Sequence, residues 1–289
     1  MKIFIIPNYI KKNTGEMLNR LTDMLGSANC DMYIMPEQSF EDEEHIQCFY
    51  FSMLTEERKE IDELKNSDII ISLGGDGTMM RAAHLGAKFQ IPVLGINTGN
   101  LGFLTQVEPE DLEYYIDKLL KGKYDISYRS GISVYLDKSE KPCIDFAVNE
   151  VVFRKNESYN VIDFKIFSDN FCIDSCRADG IIFSSATGST AYNLSAGGVV
   201  VDPLLNVINM VPICPHTMQS KPMIFSDKRE IRFISETNDI ILIADGAEKI
   251  IVKKGTSIRV VGSDKRVGFI NFKDKEFFQI LSEKIKQRG

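Results

Sequence analysis

Asp68-Ile69-Ile70-Ile71-Ser72-Leu73-Gly74-Gly75-Asp76-Gly77-Thr78 decides the architecture of the first half of the chain. Residues 68–73 read as a continuous apolar strand, typical of a parallel sheet covered on both faces. Glycines follow at once, and then a helical stretch at residues 79–85. Working outward, residues 2–6 read as a buried strand ended by Pro7 and Asn8. Residues 14–25 carry Met17, Leu18, Leu21 and Leu25 at helical spacing, with Gly26 as the expected stop. Residues 31–36 and 91–96 are further strands. This alternation predicts an open, mostly parallel α/β sheet of Rossmann-like type.

The pattern changes near Lys121. Strands are expected at residues 130–136, 146–153, 161–167, 170–174, 180–185, 230–234 and 240–244, separated by turn residues such as Ser168-Asp169-Asn170 and Thr237-Asn238-Asp239. This half reads as a β-rich domain, a β-sandwich. Residues 275–286 form an amphipathic helix expected to return to the first domain. The expected division is therefore 1–120, 121–255 and 256–289, the last a strand and helix packing back.

Composition narrows the function. The 289 residues are 44% hydrophobic and 26% charged, an ordinary globular mix. A net charge of -7 without a basic stripe argues against a nucleic-acid partner. No stretch approaches the roughly 18 apolar residues of a membrane span, and the N-terminal apolar run is too short for a signal peptide, so a cytoplasmic protein is expected. None of the six cysteines has C-x-x-C spacing. Cys172 and Cys176 share one face of an extended strand and read as reduced packing thiols. His45 and His84 are isolated, and no metal cluster is expected.

The glycine-rich turn carries the chemistry. Gly74, Gly75 and Gly77 let a ligand approach the main chain, and the helix that follows offers free N–H groups and a positive dipole end. Asp76 opposes a bound anion. It makes sense as general base or orienting group for a hydroxyl, or as a holder of a divalent metal. That combination suggests phosphoryl transfer to an alcohol. Thr78 is placed to cap the helix. Arg81, one turn in, either reaches a phosphate or is a solvated surface arginine. Asn97-Thr98-Gly99-Asn100-Leu101-Gly102-Phe103-Leu104 is a second glycine-rich loop at a strand's carboxyl end. Asn149 and Glu150, inside the strand expected at 146–153, should face opposite ways. Residues 177–198 run from a strand into Thr187-Gly188-Ser189-Thr190-Ala191-Tyr192-Asn193-Leu194-Ser195, small and rich in donors, with Tyr192 able to stack on a base.

These segments resemble known sequences. Gly74-Gly75-Asp76-Gly77-Thr78 is similar to the phosphate-handling motif shared by NAD kinases, diacylglycerol-type lipid kinases and 6-phosphofructokinases. Residues 97–104 resemble the G-x-N-x-G-x-L-G-F-L segment of NAD kinases, and Asn149-Glu150 resembles their A-x-N-E motif. Residues 179–198 are closely similar to their D-G-x-x-x-S-T-P-T-G-S-T-A-Y-x-L-S-A-G-G signature, and residues 211–217 match P-I-C-P-H. In that segment His216 reads as structural. The resemblance to the NAD kinase family implies phosphorylation of the 2′-hydroxyl of the adenosine ribose of NAD. It implies ATP or polyphosphate as donor, a divalent cation, most simply Mg²⁺, and a homodimer or homotetramer. Carried over by position, it implies Asp76 as proton acceptor with Gly77 beside it. It puts Asn149, Glu150, Asp179, Thr187, Thr190, Ala191, Tyr192, Asn193, Leu194 and Ser195 at the NAD site, and Arg177 where many relatives are basic. Ala186 stands for the usual proline, Ala247 for a glutamine, and Asn160 for a longer or basic residue. A lipid kinase would lack the loop around Tyr192, and a non-catalytic NAD sensor would have no need of Asp76.

Overall fold

The computed structural model describes residues 1–36, 59–99, 102–156, 161–216, 220–274 and 277–288. His45, Cys48, Asn100, Leu101, Asn160, Thr217 and Lys275 lie outside the described residues. The chain forms two compact units, Met1–Tyr128 with Val267–Gly289, and Arg129–Arg266. No helix among the described residues is long and apolar enough to cross a membrane.

The first unit runs β1 (Lys2–Pro7), α1 (Thr14–Ser27), β2 (Asp31–Ile34), α2 (Lys59–Lys65), β3 (Ile69–Gly74), α3 (Asp76–Phe89), β4 (Val93–Asn97) and α4 (Leu112–Leu120). The strands pair in the order β2-β1-β3-β4, all parallel. A late strand adds beside β4, with Phe269 opposite Val93. Every residue of β3 is buried, as a sheet covered on both faces requires. Ile69, Ile71 and Leu73 share a core with Met17, Leu21 and Leu25 of α1 and with Leu112, Ile116 and Leu119 of α4.

Three local expectations are corrected. Gly26 does not stop α1, which continues to Ser27 and closes on Ala28, with the reversal in left-handed Asn29 (φ 53°). The helix after the glycine turn begins at Asp76 rather than residue 79, because extended Gly75 (φ -109°, ψ -167°) offers its carbonyl to Met79 N–H at 3.0 Å. Thr78 is therefore inside the helix and cannot cap it. Its Oγ1 instead accepts from Asn8 Nδ2 at 3.2 Å and Arg81 Nη2 at 3.3 Å.

The second unit is built from β5 (Asp125–Leu136), β6 (Ile144–Ala147), β7 (Glu150–Lys155), β8 (Ile162–Ser168), β9 (Phe171–Ala178), β10 (Gly180–Ser185), α5 (Tyr192–Ser195), β11 (Val207–Ile213), β12 (Met223–Ser226), β13 (Ile231–Ser235), β14 (Ile240–Ala244), β15 (Glu248–Val252) and β16 (Ser257–Asn271). β5 begins, and β16 ends, in the first unit, where α6 (Phe277–Arg288) follows. One sheet orders β12-β11-β10-β7-β14-β15, and the other orders β16-β13-β8-β9 with β5 and β6 alongside. Inward residues of both sheets merge in one core, which makes this unit a β-sandwich. Phe233 is its hub, with ring centroids 4.3 Å from Phe153, 5.5 Å from Phe183 and 5.9 Å from Phe164. Such pairs contribute about 0.5–1.5 kcal/mol each beyond their buried area.

Here too the structure departs from expectation. The strand expected at 146–153 is two strands, broken at Val148 and Asn149 because their N–H groups are taken by a side chain described below. Cys172 and Cys176 do not share a face. A bulge at Ile173 places Cys172 opposite Phe167 and Cys176 opposite Phe164, so Cys172 is exposed and Cys176 buried.

Candidate functional site

Two clusters hold the candidate residues, one in each unit. In the first, β1, β3 and β4 end side by side, as parallel strands must, and their loops converge. The Asp76 carboxylate, on the first residue of α3, accepts Phe103 N–H through Oδ2 at 3.0 Å and Leu104 N–H through Oδ1 at 3.1 Å. It thus pins the second glycine loop to the first. A side-chain carbon on Gly102 would lie 2.1 Å from Asp76 Oδ1, so only glycine permits this approach. The buried Asn97 shapes the same loop, bonding the Gly99 carbonyl at 2.8 Å and accepting Gly99 N–H at 3.0 Å. Lys284 of α6, itself buried, puts its ammonium 3.9 Å from Asp76 Oδ2 and 4.0 Å from the centre of the Phe103 ring. Asp76 remains 40% exposed, so part of its acceptor capacity faces outward. Gly77 is exposed, with open space where a side chain would begin. Gly74 is packed on Thr78, and Arg81 is spent in part on Thr78 Oγ1.

In the second unit the organising residue is Asp245, in the turn between β14 and β15. Its carboxylate accepts three consecutive backbone N–H groups, from Val148 at 2.6 Å, Asn149 at 2.8 Å and Glu150 at 2.9 Å. Those bonds break the long strand and present Asn149 on an irregular backbone. Asp245 and Gly246 both have positive φ, 46° and 75°, which Asp-Gly turns favour. Ser185 ties the next strand in: its N–H bonds the Asn149 carbonyl at 2.8 Å, and its hydroxyl donates to the Val148 carbonyl at 2.6 Å while accepting Gly188 N–H at 3.1 Å. Gly188 backs on to Asn149, where a side-chain carbon would lie 2.1 Å from the Asn149 carbonyl oxygen.

Glu150 is buried against this knot. Burial, with the Asp245 charge beside it, pushes its carboxyl up to about 8, although the Tyr192 N–H favours the ionised form. Its Oε2 and the buried Thr187 Oγ1 have no hydrogen-bond partner among the described residues, as groups reserved for a polar ligand would be. Thr190 is buried, and its hydroxyl reaches the Thr187 carbonyl at 3.5 Å. Tyr192 and Ser195 are exposed, and Ala191 and Leu194 half-buried. Asn193 is fully buried and holds its own loop, donating to the carbonyls of Ser189 at 3.0 Å and Val199 at 3.2 Å.

Arg177 and Asp179 do not join this group. They stand at the other end of β10, roughly 20 Å away at ~3.4 Å per strand residue. Arg177 pairs with Asp163 at 2.7 Å and 3.1 Å, holding that carboxyl below its usual value. Asp179 accepts from Lys155 Nζ at 2.7 Å. Sequence reading missed Asp245 and Lys284. An Asp-Gly pair such as Asp245-Gly246 is by itself a turn signal, but nothing local tells which backbone its carboxylate will reach.

Comparison with known proteins gives the family of the chain. Residues 3–124 match the ATP-NAD kinase N-terminal domain and residues 148–272 the ATP-NAD kinase C-terminal domain. The chain is 31% identical over 287 residues to an NAD kinase of Caldicellulosiruptor saccharolyticus, covering 99% of this chain and 100% of that one. It is 37% identical over 230 residues to an NAD kinase of Moorella thermoacetica, covering 79% and 74%. Among solved structures, an NAD kinase from Archaeoglobus fulgidus in complex with ATP superposes with a TM-score of 0.75 at 27% identity, covering all of both chains. Yeast NADH kinase complexed with NADH shares the fold, with a TM-score of 0.83 at 22% identity over 99% of this chain and 87% of that one. Matched from end to end and in both units, the chain belongs to the NAD kinase family of enzymes.

Proposed function

We propose that this enzyme moves the terminal phosphate of ATP, or of a related donor such as polyphosphate, on to the 2′-hydroxyl of the adenosine ribose of NAD. The observation that carries the reading is Asp76: a carboxylate held by two backbone N–H groups at the start of a helix, between two glycine-rich loops, with part of its surface open. In this reading the 2′-hydroxyl oxygen attacks the terminal phosphorus, its proton passes to Asp76, and the shortened donor leaves. Gly74, Gly75, Gly77 and the N–H groups of α3 receive the donor's phosphates, with Thr78 and Arg81 bracing the turn. Asn149, Glu150, Thr187 and the residues from Thr190 to Ser195 are assigned to NAD, Glu150 and Thr187 through their unpartnered oxygens and Tyr192 through its exposed ring. Asn193 acts by shaping that loop. ATP bound to the Archaeoglobus relative supports the choice of donor.

A divalent cation fits these residues as a companion of the donor. Among the described residues no three His, Cys, Asp or Glu side chains gather into a cage. Mg²⁺ needs few protein carboxylates, because the donor's phosphates and water can supply most of its ligands, so its presence would leave Asp76 free to take the proton. When bound it would spread the charge of the transferring group. A homo-oligomer working in the cytoplasm completes the proposal.

NADP formation from NAD and ATP with Mg²⁺, wild type beside Asp76→Asn, tests the reading. Removing a general base lowers turnover by about 10²–10⁴-fold, and the NAD dissociation constant should change less than threefold. Retained turnover in the variant would remove Asp76 from the role of base. No NADP from the wild type with ATP or polyphosphate would refute the activity.

A further inference from the structure

We propose that Lys11 grips the phosphate chain of the donor, an inference that rests on the function proposed above and adds a ligand to its donor site. Lys11 lies in the loop between β1 and α1. A side-chain carbon built on Gly75 would fall 3.0 Å from Lys11 Nζ, and one built on Gly99 would fall 3.7 Å from it. The ammonium therefore sits over both glycine-rich loops at once, where glycine leaves the backbone bare.

The loop that carries it is anchored to the same turn. Asn8 N–H bonds the Leu73 carbonyl at 2.9 Å, and Asn8 Nδ2 bonds Thr78 Oγ1 at 3.2 Å. Lys11 N–H bonds the Asn8 carbonyl at 3.1 Å, and Asn8 Oδ1 accepts Ile10 N–H at 3.3 Å. The backbone of Lys11 is thus fixed relative to Gly74 and Gly75, while its side chain stays half-buried. Among the described residues no carboxylate pairs with it. An ammonium is a compact point charge with three donors, suited to phosphate oxygens whatever their carrier. Because it reads charge rather than a base, Lys11 serves a nucleoside triphosphate and a bare polyphosphate alike.

Calorimetric titration with inorganic triphosphate, on wild type, Lys11→Ala and Lys11→Arg, tests this without turnover. Lys11→Ala should bind triphosphate at least tenfold more weakly, Lys11→Arg should fall between, and NAD affinity should stay within twofold. In turnover, KM for the donor should rise for Lys11→Ala while KM for NAD holds. Circular dichroism confirms that each variant is folded. Equal triphosphate affinity in wild type and Lys11→Ala, or none in the wild type, overturns the proposal. If NADP never forms yet Lys11→Ala loses triphosphate, the enzymatic reading falls and the phosphate grip stands. If NADP forms with an unchanged donor KM in Lys11→Ala, the reverse holds.

Discussion

Asp245→Asn should destabilise the second unit by about 2–3 kcal/mol, and the structure supplies the sum. The wild-type carboxylate satisfies three adjacent N–H groups, those of Asn149 and Glu150 through Oδ1 and that of Val148 through Oδ2. Hydrogen bonds to a charged group contribute about 1.5–3 kcal/mol each and neutral ones nearer 1. Asparagine keeps a carbonyl for Asn149 and Glu150, losing only the charge from those two bonds. Its amide NH₂ then faces Val148 N–H, donor against donor, and an unsatisfied buried donor costs about 1–3 kcal/mol. Little is recovered by removing the repulsion on Glu150, since that carboxyl, pushed up to about 8, is already protonated at pH 7. The backbone adds no strain, because asparagine tolerates the left-handed φ of 46° at this position. Asp245→Ala lacks both advantages and should lose about 4 kcal/mol. Urea unfolding at pH 7, followed by circular dichroism, measures both, with an unchanged denaturant slope marking a change in stability alone. A loss under 0.5 kcal/mol for Asp245→Asn would refute the view that this carboxylate holds the broken strand together.

Glu150 makes stability depend on pH. Its folded-state value of about 8 lies above the ordinary 4.5, so the folded chain binds the extra proton between them. The stabilisation is complete below about 4.5 and is lost as pH rises towards 8, by ~5 kcal/mol in all. Glu150→Gln should flatten that decline, and parallel unfolding curves for both proteins from pH 5 to 8.5 would contradict it. Gly188→Ala should cost about 3 kcal/mol, because its methyl would meet the Asn149 carbonyl at 2.1 Å. A melting temperature within one or two degrees of wild type would show that the contact relaxes freely.

The parallel α/β half was legible because its signals are local. The apolar run around Ile70, the glycines behind it and the periodic leucines of α1 depend on neighbours in sequence. Gly180–Ser185 and Ile240–Ala244 were legible as strands for the same reason. The glycine-rich turns and the Thr187–Ser195 segment stand out as accessible, donor-rich backbone, and their resemblance to the NAD kinases points to the family from sequence alone. β11, β12, β15 and α4 were not read from the sequence, although the i, i+3, i+4, i+7 spacing of Leu112, Tyr115, Ile116 and Leu119 in α4 and the apolar run of β11 are local signals of the same kind.

What depended on tertiary structure is where the charged groups end. Asp76 is a recognisable carboxylate in the sequence, but that it also binds Phe103 and Leu104 follows only from two loops meeting at the ends of β3 and β4. Asp245 reaches residues almost a hundred positions earlier, Lys284 reaches Asp76 from the far end of the chain, and Lys11 covers glycines more than sixty residues away. Residue type and spacing report the period of an element and the freedom of a turn, because both act over a few bonds. Ion pairs, clamps and buried carboxyls act through space, and the packing of the sheets determines which side chains become neighbours.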